Sequence, residues 1–301
     1  MSLRVGVLVV QNLAYDRWRS RVLEVEQLGY DGVYVWDHLV HRTQEPTDPL
    51  FEGLTLLAAA AEFTTRLRLG TLVASPTIRH PVLLAKQAMT IDNVSGGRLE
   101  LGIGAAGVLL DYAVLGMEPW SKAEQVSRFR DTVATVHDVL AGATSYDGTH
   151  WRGTGVTMSP GPVQARLPLT IAAHGPRTLA IAGRYADCWN TMTLRGMPQQ
   201  EVLAQTAGRA RLLDEAALEA GRDPSHIRRS VLIGSQEWPA LASPQAFREA
   251  VLRYAEIGVS EVVLVHPDHP AEVRVAHGEA APRIVRRIAE EVLPALRDEL
   301  G

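Results

Sequence analysis

The sequence predicts an α/β fold, a (β/α)8 TIM barrel formed by one domain over residues 1–301, with an insertion after the fourth helix. Short apolar segments alternate with longer segments of helical periodicity, and eight such pairs follow one another. The short segments are apolar on both faces, which is typical of buried parallel strands. The length of 301 residues also suits a single barrel. Eight consecutive units favour a closed barrel over the alternative, a doubly wound open sheet.

The elements follow from this alternation in chain order. We predict eight strands, over residues 3–10, 32–36, 67–73, 98–104, 169–173, 186–192, 229–233 and 259–265. We predict the intervening helices over residues 15–28, 53–63, 82–94, 122–140, near Thr178, and over 201–220, 244–257 and 281–299. The first helix is expected to stop at Gly29, because glycine tolerates the left-handed conformation that ends many helices.

The segment 143–167 interrupts the alternation with glycines and prolines. We predict one short strand pair in it, over 146–151 and 156–159. Trp151 and Met158 would pack against the barrel, so the segment is interpreted as an insertion and not as a linker.

Composition excludes several classes of function. Thirty basic and 34 acidic residues give a net charge of -4 without a basic stripe, so no nucleic-acid partner is expected. No apolar stretch approaches the roughly 20 residues of a membrane span. The N-terminus does not resemble a signal peptide, and we therefore predict a cytoplasmic protein. The single cysteine, Cys188, is interpreted as a small buried residue, with a nucleophile as the alternative.

The residues that follow each strand are the candidates for chemistry, because barrel enzymes place their active sites at the carboxyl ends of the strands. Asp37 and His38 end the second strand. His38 is the leading catalytic candidate, since imidazole exchanges protons near neutral pH. The alternative is that His38 only hydrogen-bonds its loop. Neighbouring strand residues point to opposite faces, so the two need not form an ion pair.

A second candidate site follows the fifth strand, at residues 174–177 (HGPR). Proline at the start of a helix, after glycine, leaves backbone N–H groups directed at a possible anion such as phosphate. An ordinary strand-to-helix turn is the alternative, and Arg177 would then be a surface residue. The glycines at 102–107 (GIGAAG) lack the GxGxxG spacing of a dinucleotide site.

Other chemistries lack their motifs. The histidines are scattered, and neither HExxH nor paired carboxylates indicate a metal site, so no metal is predicted. There is no GxSxG nucleophile motif.

Taken together in this order, these segments resemble the luciferase-like monooxygenase superfamily of flavin and deazaflavin oxidoreductases over nearly the whole chain. The segments that carry the resemblance are 28–38 (LGYDGVYVWDH), 69–71 (LGT), 79–81 (RHP), 84–86 (LAK), 95–98 (SGGR), 101–104 (LGIG), 175–177 (GPR) and 182–187 (AGRYAD). Within the superfamily, the Asp37 and His38 pair and the GPR turn are more similar to members that use coenzyme F420 than to those that use FMN.

The resemblance implies a deazaflavin at the barrel mouth and hydride transfer to or from a small-molecule substrate. His38 and Asp37 would be the catalytic pair, with His38 exchanging the proton and Asp37 positioning the ring or tuning the histidine. A non-proline cis peptide is implied at Leu72 and Val73. The implied cofactor-binding residues are Asp37, Leu72, Val73, Ser75, Gly104, Ala105, Ala106, Ala173, His174, Gly175, Pro176 and Arg177.

One departure bears on the substrate. Superfamily members that oxidise a sugar phosphate carry glutamate where this chain has Gly107, followed by apolar residues, so a hydrophobic substrate is predicted. Two rival functions stay open: an FMN-dependent monooxygenase, and a non-catalytic protein that binds flavin or deazaflavin. A homodimer, typical of the superfamily, is expected.

Overall fold

Eight parallel strands close into a barrel in the computed structural model, so the predicted (β/α)8 fold is confirmed. The structure describes residues 3–41, 49–105, 108–155, 157–192, 197–233, 239–267 and 283–301. The barrel order is β1, β2, β3, β4, β7, β8, β9, β10 and back to β1. These strands are β1 (Arg4–Leu8), β2 (Gly32–Val35), β3 (Arg68–Thr71), β4 (Leu99–Gly104), β7 (Leu169–Ala172), β8 (Cys188–Met192), β9 (Arg228–Ile233) and β10 (Glu261–Val265).

Helices surround the barrel close to the predicted positions. They are α1 (Tyr15–Gln27), α2 (Gly53–Phe63), α3 (Pro81–Ser95), α4 (Leu109–Val114), α5 (Lys122–Leu140), α6 (Pro176–Tyr185), α7 (Gln199–Glu219), α8 (Pro244–Glu256), α9 (Ile284–Glu291) and α10 (Leu293–Leu300). The short α4 was not predicted. The last predicted helix is two helices, because Val292 leaves the helical conformation and Pro294 lacks the N–H of a continuous helix.

The insertion does follow the fourth barrel helix, α5, but its strand pair differs from the prediction. β5 (Tyr146–Asp147) pairs with β6 (Arg152–Gly153), so the second strand predicted at 156–159 is wrong: residues 157–159 form no strand, and Val156 lies outside the described residues. The turn between them is tighter than expected because the backbone N–H of Gly148 donates to the carbonyl of Trp151 at 2.8 Å.

Two apolar layers hold the barrel together. The larger lies between the strands and the helices, and Trp18, Trp189 and Phe129 are fully buried in it. The smaller, here called the apolar lining, is a separate cluster. Its members are Leu8, Val10, Tyr34, Trp36, Leu72, Val263 and Val265, with the partly buried Leu50, Val73 and Leu232. Successive strand residues alternate between these two layers, as the period of a strand requires.

Charged side chains fill the amino-terminal end of the barrel. Buried Glu100 accepts from Arg4 at 2.9 Å and also pairs with Arg228, which reaches Glu261 at 2.6 Å. The Tyr34 hydroxyl donates to Glu261 at 2.6 Å. Burial and the nearby Glu261 carboxylate raise the pKa of Tyr34 well above its ordinary value. These side chains therefore plug the amino-terminal end of the barrel. The carboxyl end is the one that can hold a binding site.

Cys188, the first residue of β8, lies at this same plugged end and is fully buried. Burial, followed by the negative charge of Glu261, raises the pKa of its thiol far above the ordinary value. A thiol that stays protonated is a poor nucleophile, so the structural interpretation of Cys188 fits its surroundings. Within the described ranges, no helix is both long and apolar enough to span a bilayer.

Candidate active site

Asp37 follows β2 and is buried, with 2% of its surface exposed. Its carboxylate accepts two hydrogen bonds from Arg79, from Nε at 2.8 Å and from Nη2 at 2.7 Å. It also accepts from the backbone N–H of Ser75 at 3.1 Å. Asp37 therefore ties the end of β2 to the loop after β3, and its oxygens are already engaged by the protein.

Arg79 also connects Asp37 to the start of α2. It contacts Glu52, which also accepts from the backbone N–H groups of Leu54 at 3.1 Å and Thr55 at 2.7 Å. Burial alone would raise the pKa of Glu52, but the hydrogen bonds from Thr55 and the charge of Arg79 lower it below the ordinary value. Glu52 is thus an ionised cap of α2 that also holds Arg79.

His38 has a different partner from Asp37. Its Nδ1 lies 2.8 Å from Oδ2 of Asp111, a residue of α4 with no exposed surface. The other oxygen, Oδ1, accepts from the backbone N–H of Leu39 at 2.9 Å. The structure therefore brings His38 together with Asp111, and it separates the side chains of His38 and Asp37. Asp111 carried no sequence signal, because α4 is too short for a recognisable period and follows apolar residues.

The loop after β3 contributes the predicted cis peptide, between Leu72 and Val73. Leu72 and Val73 both belong to the apolar lining. A Cβ on Gly104 would lie 2.3 Å from Cγ2 of Val73, so the end of β4 fits closely against that residue. Thr77 is 7% exposed, and its hydroxyl has no hydrogen-bond partner within the described residues. An unpaired buried hydroxyl costs stability unless a bound group satisfies it.

The two alanines predicted beside the glycines cannot be treated alike. The side chain of Ala105 packs against the core between strands and helices. Ala106 lies outside the described residues. Their predicted contact with a cofactor stays a prediction.

The turn after β7 has the predicted form, with Gly175 preceding Pro176 at the start of α6. The hydroxyl of Thr178 engages the backbone of Gly175: it donates to the Gly175 carbonyl at 2.9 Å and accepts from the Gly175 N–H at 3.2 Å. No other atom lies near the position of a Cβ on Gly175, so the turn is open on that side. Arg177 is exposed, and Ala173 is buried in the outer core.

His174 lies beside this turn, and its Nδ1 is 3.2 Å from the hydroxyl of Thr191. Burial among protein atoms is the main cause that lowers the pKa of His174 from 6.5 to about 4. The positive charge of the Arg209 guanidinium is the second cause. The residue keeps contact with solvent, which screens part of this effect. A neutral imidazole would offer an anion a hydrogen bond but not a charge.

Two further polar side chains, on β8 and β9, are paired with each other. The amide of Asn190 donates to the hydroxyl of Ser230 at 2.9 Å, and both residues are buried. In the part of the chain that is described, no three histidine, cysteine or acidic residues gather as a metal site would require.

A family model described as luciferase-like monooxygenase matches residues 3–255. The F420-dependent glucose-6-phosphate dehydrogenase of Beutenbergia cavernae is 29% identical in an alignment 325 residues long. The alignment covers 90% of this chain and 90% of that relative.

Two solved structures have the same fold. An F420-dependent secondary alcohol dehydrogenase, in complex with an F420-acetone adduct, has a TM-score of 0.82 and 18% identity, covering 99% of this chain and 100% of its own. The oxygenating constituent of 3,6-diketocamphane monooxygenase from Pseudomonas putida, in complex with FMN, has a TM-score of 0.71 and 14% identity, covering 98% and 99%. At these identities the likeness concerns the fold alone.

Proposed function

The chain belongs to the luciferase-like monooxygenase family, and from that premise we propose that it is a coenzyme F420-dependent oxidoreductase acting on a small hydrophobic substrate. The observation that carries the proposal is the His38 and Asp111 pair, which follows β2 at the carboxyl end of a barrel with an apolar lining. The F420-dependent relative that matches most of the chain supports the choice of cofactor.

The residues present fit a deazaflavin with a phosphate-bearing tail. The ring needs an apolar surface, which Leu72, Val73 and Trp36 provide. The unpartnered hydroxyl of Thr77 offers a hydrogen bond to a polar atom of the ring system. The open turn at Gly175, at the amino terminus of α6, suits a phosphate group.

When bound, the deazaflavin supplies the hydride chemistry, and the protein's part is to bind, orient and move a proton. His38 exchanges that proton at Nε2, because Nδ1 is engaged by Asp111. Arg79 and Asp37 fix the loops after β3 and β2 against each other. The apolar lining excludes water from the reacting atoms. Asp37 therefore acts as a positioning residue, because its carboxylate oxygens are held by Arg79 and by the backbone N–H of Ser75.

The apolar lining also supports the class of substrate. A sugar phosphate needs a positive partner for its charge, because burying an unpaired charge is costly. Within the described ranges, Arg79 is committed to Asp37 and Glu52, and Arg209 donates to Thr191 and the carbonyl of Met192. Short secondary alcohols and their ketones match the lining better than a sugar phosphate.

The test is turnover of purified protein loaded with F420 against a panel of alcohols and enones together with glucose 6-phosphate. We expect kcat/KM for at least one small apolar alcohol or enone to exceed that for glucose 6-phosphate by about 10²-fold or more, because the phosphate would lack a paired charge. Preference for glucose 6-phosphate would overturn the proposed substrate class. Absence of any turnover across the panel would favour a non-catalytic binding protein.

FMN-dependent oxygenation is the second candidate function, because the family model that matches residues 3–255 is described as luciferase-like monooxygenase. Oxygen consumption by FMN-loaded protein, supplied with a reductant and a ketone, distinguishes FMN-dependent oxygenation from F420-dependent hydride transfer. We expect no substrate-dependent oxygen consumption. The homodimer and the cytoplasmic location stay predictions.

A further inference from the structure

We propose that Asp111 is a positioning residue that holds His38 as the Nδ1–H tautomer, so that Nε2 is the basic nitrogen of the site. The inference about tautomer concerns the protein alone. Its catalytic consequence, that Nε2 takes the proton of a substrate hydroxyl, rests on the proposed function.

With Asp111 ionised, its geometry leaves Nδ1 of His38 only the role of donor. An ionised carboxylate accepts hydrogen bonds and donates none. Oδ1 accepts from the Leu39 N–H at 2.9 Å, and Oδ2 lies 2.8 Å from Nδ1 of His38. Nδ1 must therefore carry a proton to bond with Oδ2. Asp111 has no exposed surface, so water does not compete for its oxygens.

The other nitrogen is left for chemistry. Within the described residues, Nε2 of His38 makes no hydrogen bond, and 16% of the side chain is exposed. In the neutral Nδ1–H tautomer Nε2 carries a free lone pair. The O–H bond of a substrate hydroxyl then breaks as its proton forms an Nε2–H bond. The buried carboxylate stabilises the imidazolium that results.

We expect Asp111→Asn to reverse the tautomer of His38. The backbone N–H of Leu39 can only donate, so it selects the amide oxygen of the new side chain. The amide NH₂ then faces Nδ1 of His38, which has to accept. The proton moves to Nε2, and the nitrogen that served as base becomes a donor.

The experiment is ¹⁵N NMR of histidine-labelled protein without cofactor, at about pH 8.5, which is two units above the ordinary pKa of an imidazole. The chain has 10 histidines, and the spectrum of His38→Gln assigns the His38 signals. We expect a protonated Nδ1 and a bare Nε2 in the unsubstituted protein, and the reverse in Asp111→Asn. A protonated Nε2 in the unsubstituted protein overturns the proposal, as does the same tautomer in both proteins.

Asp131→Asn is the matched control. Asp131 is also a buried carboxylate that accepts a backbone N–H, that of His150 at 2.8 Å, and it lies on α5. We expect it to lose stability without changing the His38 signals. A shift of the His38 tautomer in Asp131→Asn would mean that the readout follows general destabilisation, which contradicts the specific role of Asp111.

Activity then separates this inference from the proposed function. With F420 and a substrate that turns over, we expect Asp111→Asn to lower kcat by about 10²-fold or more with little change in KM, as tautomer reversal does in a catalytic triad. A reversed tautomer in a protein that never turns over with F420 would leave the inference intact and refute the proposed function. A reversed tautomer with unchanged kcat would refute the catalytic consequence.

Discussion

Asp37 and His38 are adjacent in the chain, but their side chains contact different partners. Asp37 binds Arg79, and His38 binds Asp111. Successive residues of an extended chain point in opposite directions, so one residue reaches the loop after β3 and the other reaches α4. In the proposed function, a structural role falls to Asp37 and a proton-exchanging role to His38.

His38→Ala tests the proton-exchanging role. We expect the affinity for F420 to stay within about tenfold and the rate of hydride transfer to fall by ~10²-fold or more, the usual scale for loss of general acid or base catalysis. Stopped-flow reduction of the cofactor gives the rate. His226→Ala is the matched control, because His226 is exposed and precedes β9 at the opposite end of the barrel. An unchanged rate in His38→Ala would exclude a catalytic role.

Arg79→Met tests the structural role. It leaves the buried Asp37 carboxylate without its charge partner, and we expect a loss of about 3–5 kcal/mol in the free energy of unfolding. Urea denaturation measures it. The double variant Asp37→Asn with Arg79→Met should recover part of the loss, because it removes the unpaired charge. Equal stability of the single and double variants would argue against the ion pair as the cause.

At the scale of elements, the start of α2 is fixed against the end of β2. Gln11 donates from Nε2 to the carbonyl of Trp36 at 2.6 Å, and Phe51 donates to the Gln11 carbonyl at 3.0 Å. A Cβ on Gly53 would lie 2.3 Å from that same Trp36 carbonyl oxygen. The first residue of α2 therefore has to be glycine for the helix to approach the strand this closely.

Gly53→Ala and Gly208→Ala form a pair that separates packing from helix propensity. We expect Gly53→Ala to destabilise the protein, because the clash is with backbone that cannot move aside. Gly208 lies within α7 with open space around a Cβ, so Gly208→Ala should add about 0.5–1 kcal/mol. Thermal unfolding of both variants gives the sign. A tolerated Gly53→Ala would contradict the close contact of α2 with β2.

The elements that sequence reasoning found, and those it missed, differ in their physical origin. The barrel strands are short apolar runs and the long helices have strong periodicity, so the positions of both were predicted to within a few residues. α4 has six residues and no full period, and the pairing of β5 with β6 depends on a tight turn. Asp111 was missed for the same reason, since only the folded chain brings it to His38.

At the scale of the molecule, the proposed function assigns stabilisation to one end of the barrel and the reaction to the other. Glu100, Glu261 and Arg228 fill the amino-terminal end with ion pairs. The carboxyl end carries the His38 and Asp111 pair. Barrel enzymes concentrate function at the carboxyl ends of their strands, so substitutions at the two ends should have different effects.

Glu100→Met tests this separation. The substitution removes one of the two carboxylates that pair with Arg228 and leaves Glu261 as the other. We expect the free energy of unfolding to fall by about 3–5 kcal/mol. We expect the affinity for F420 to change by no more than about twofold. Urea denaturation and a cofactor titration on the same sample provide both values. Glu290→Gln, on the exposed face of α9, is the control and should change neither. A large loss of affinity at preserved stability would contradict the separation.

The most direct test of the central claim is a side-by-side fluorescence titration of the purified protein with F420 and with FMN. We expect F420 to bind with a dissociation constant at least about tenfold lower than that of FMN, a preference of about 1.4 kcal/mol or more. FMN binding as tightly as F420, or more tightly, would contradict it.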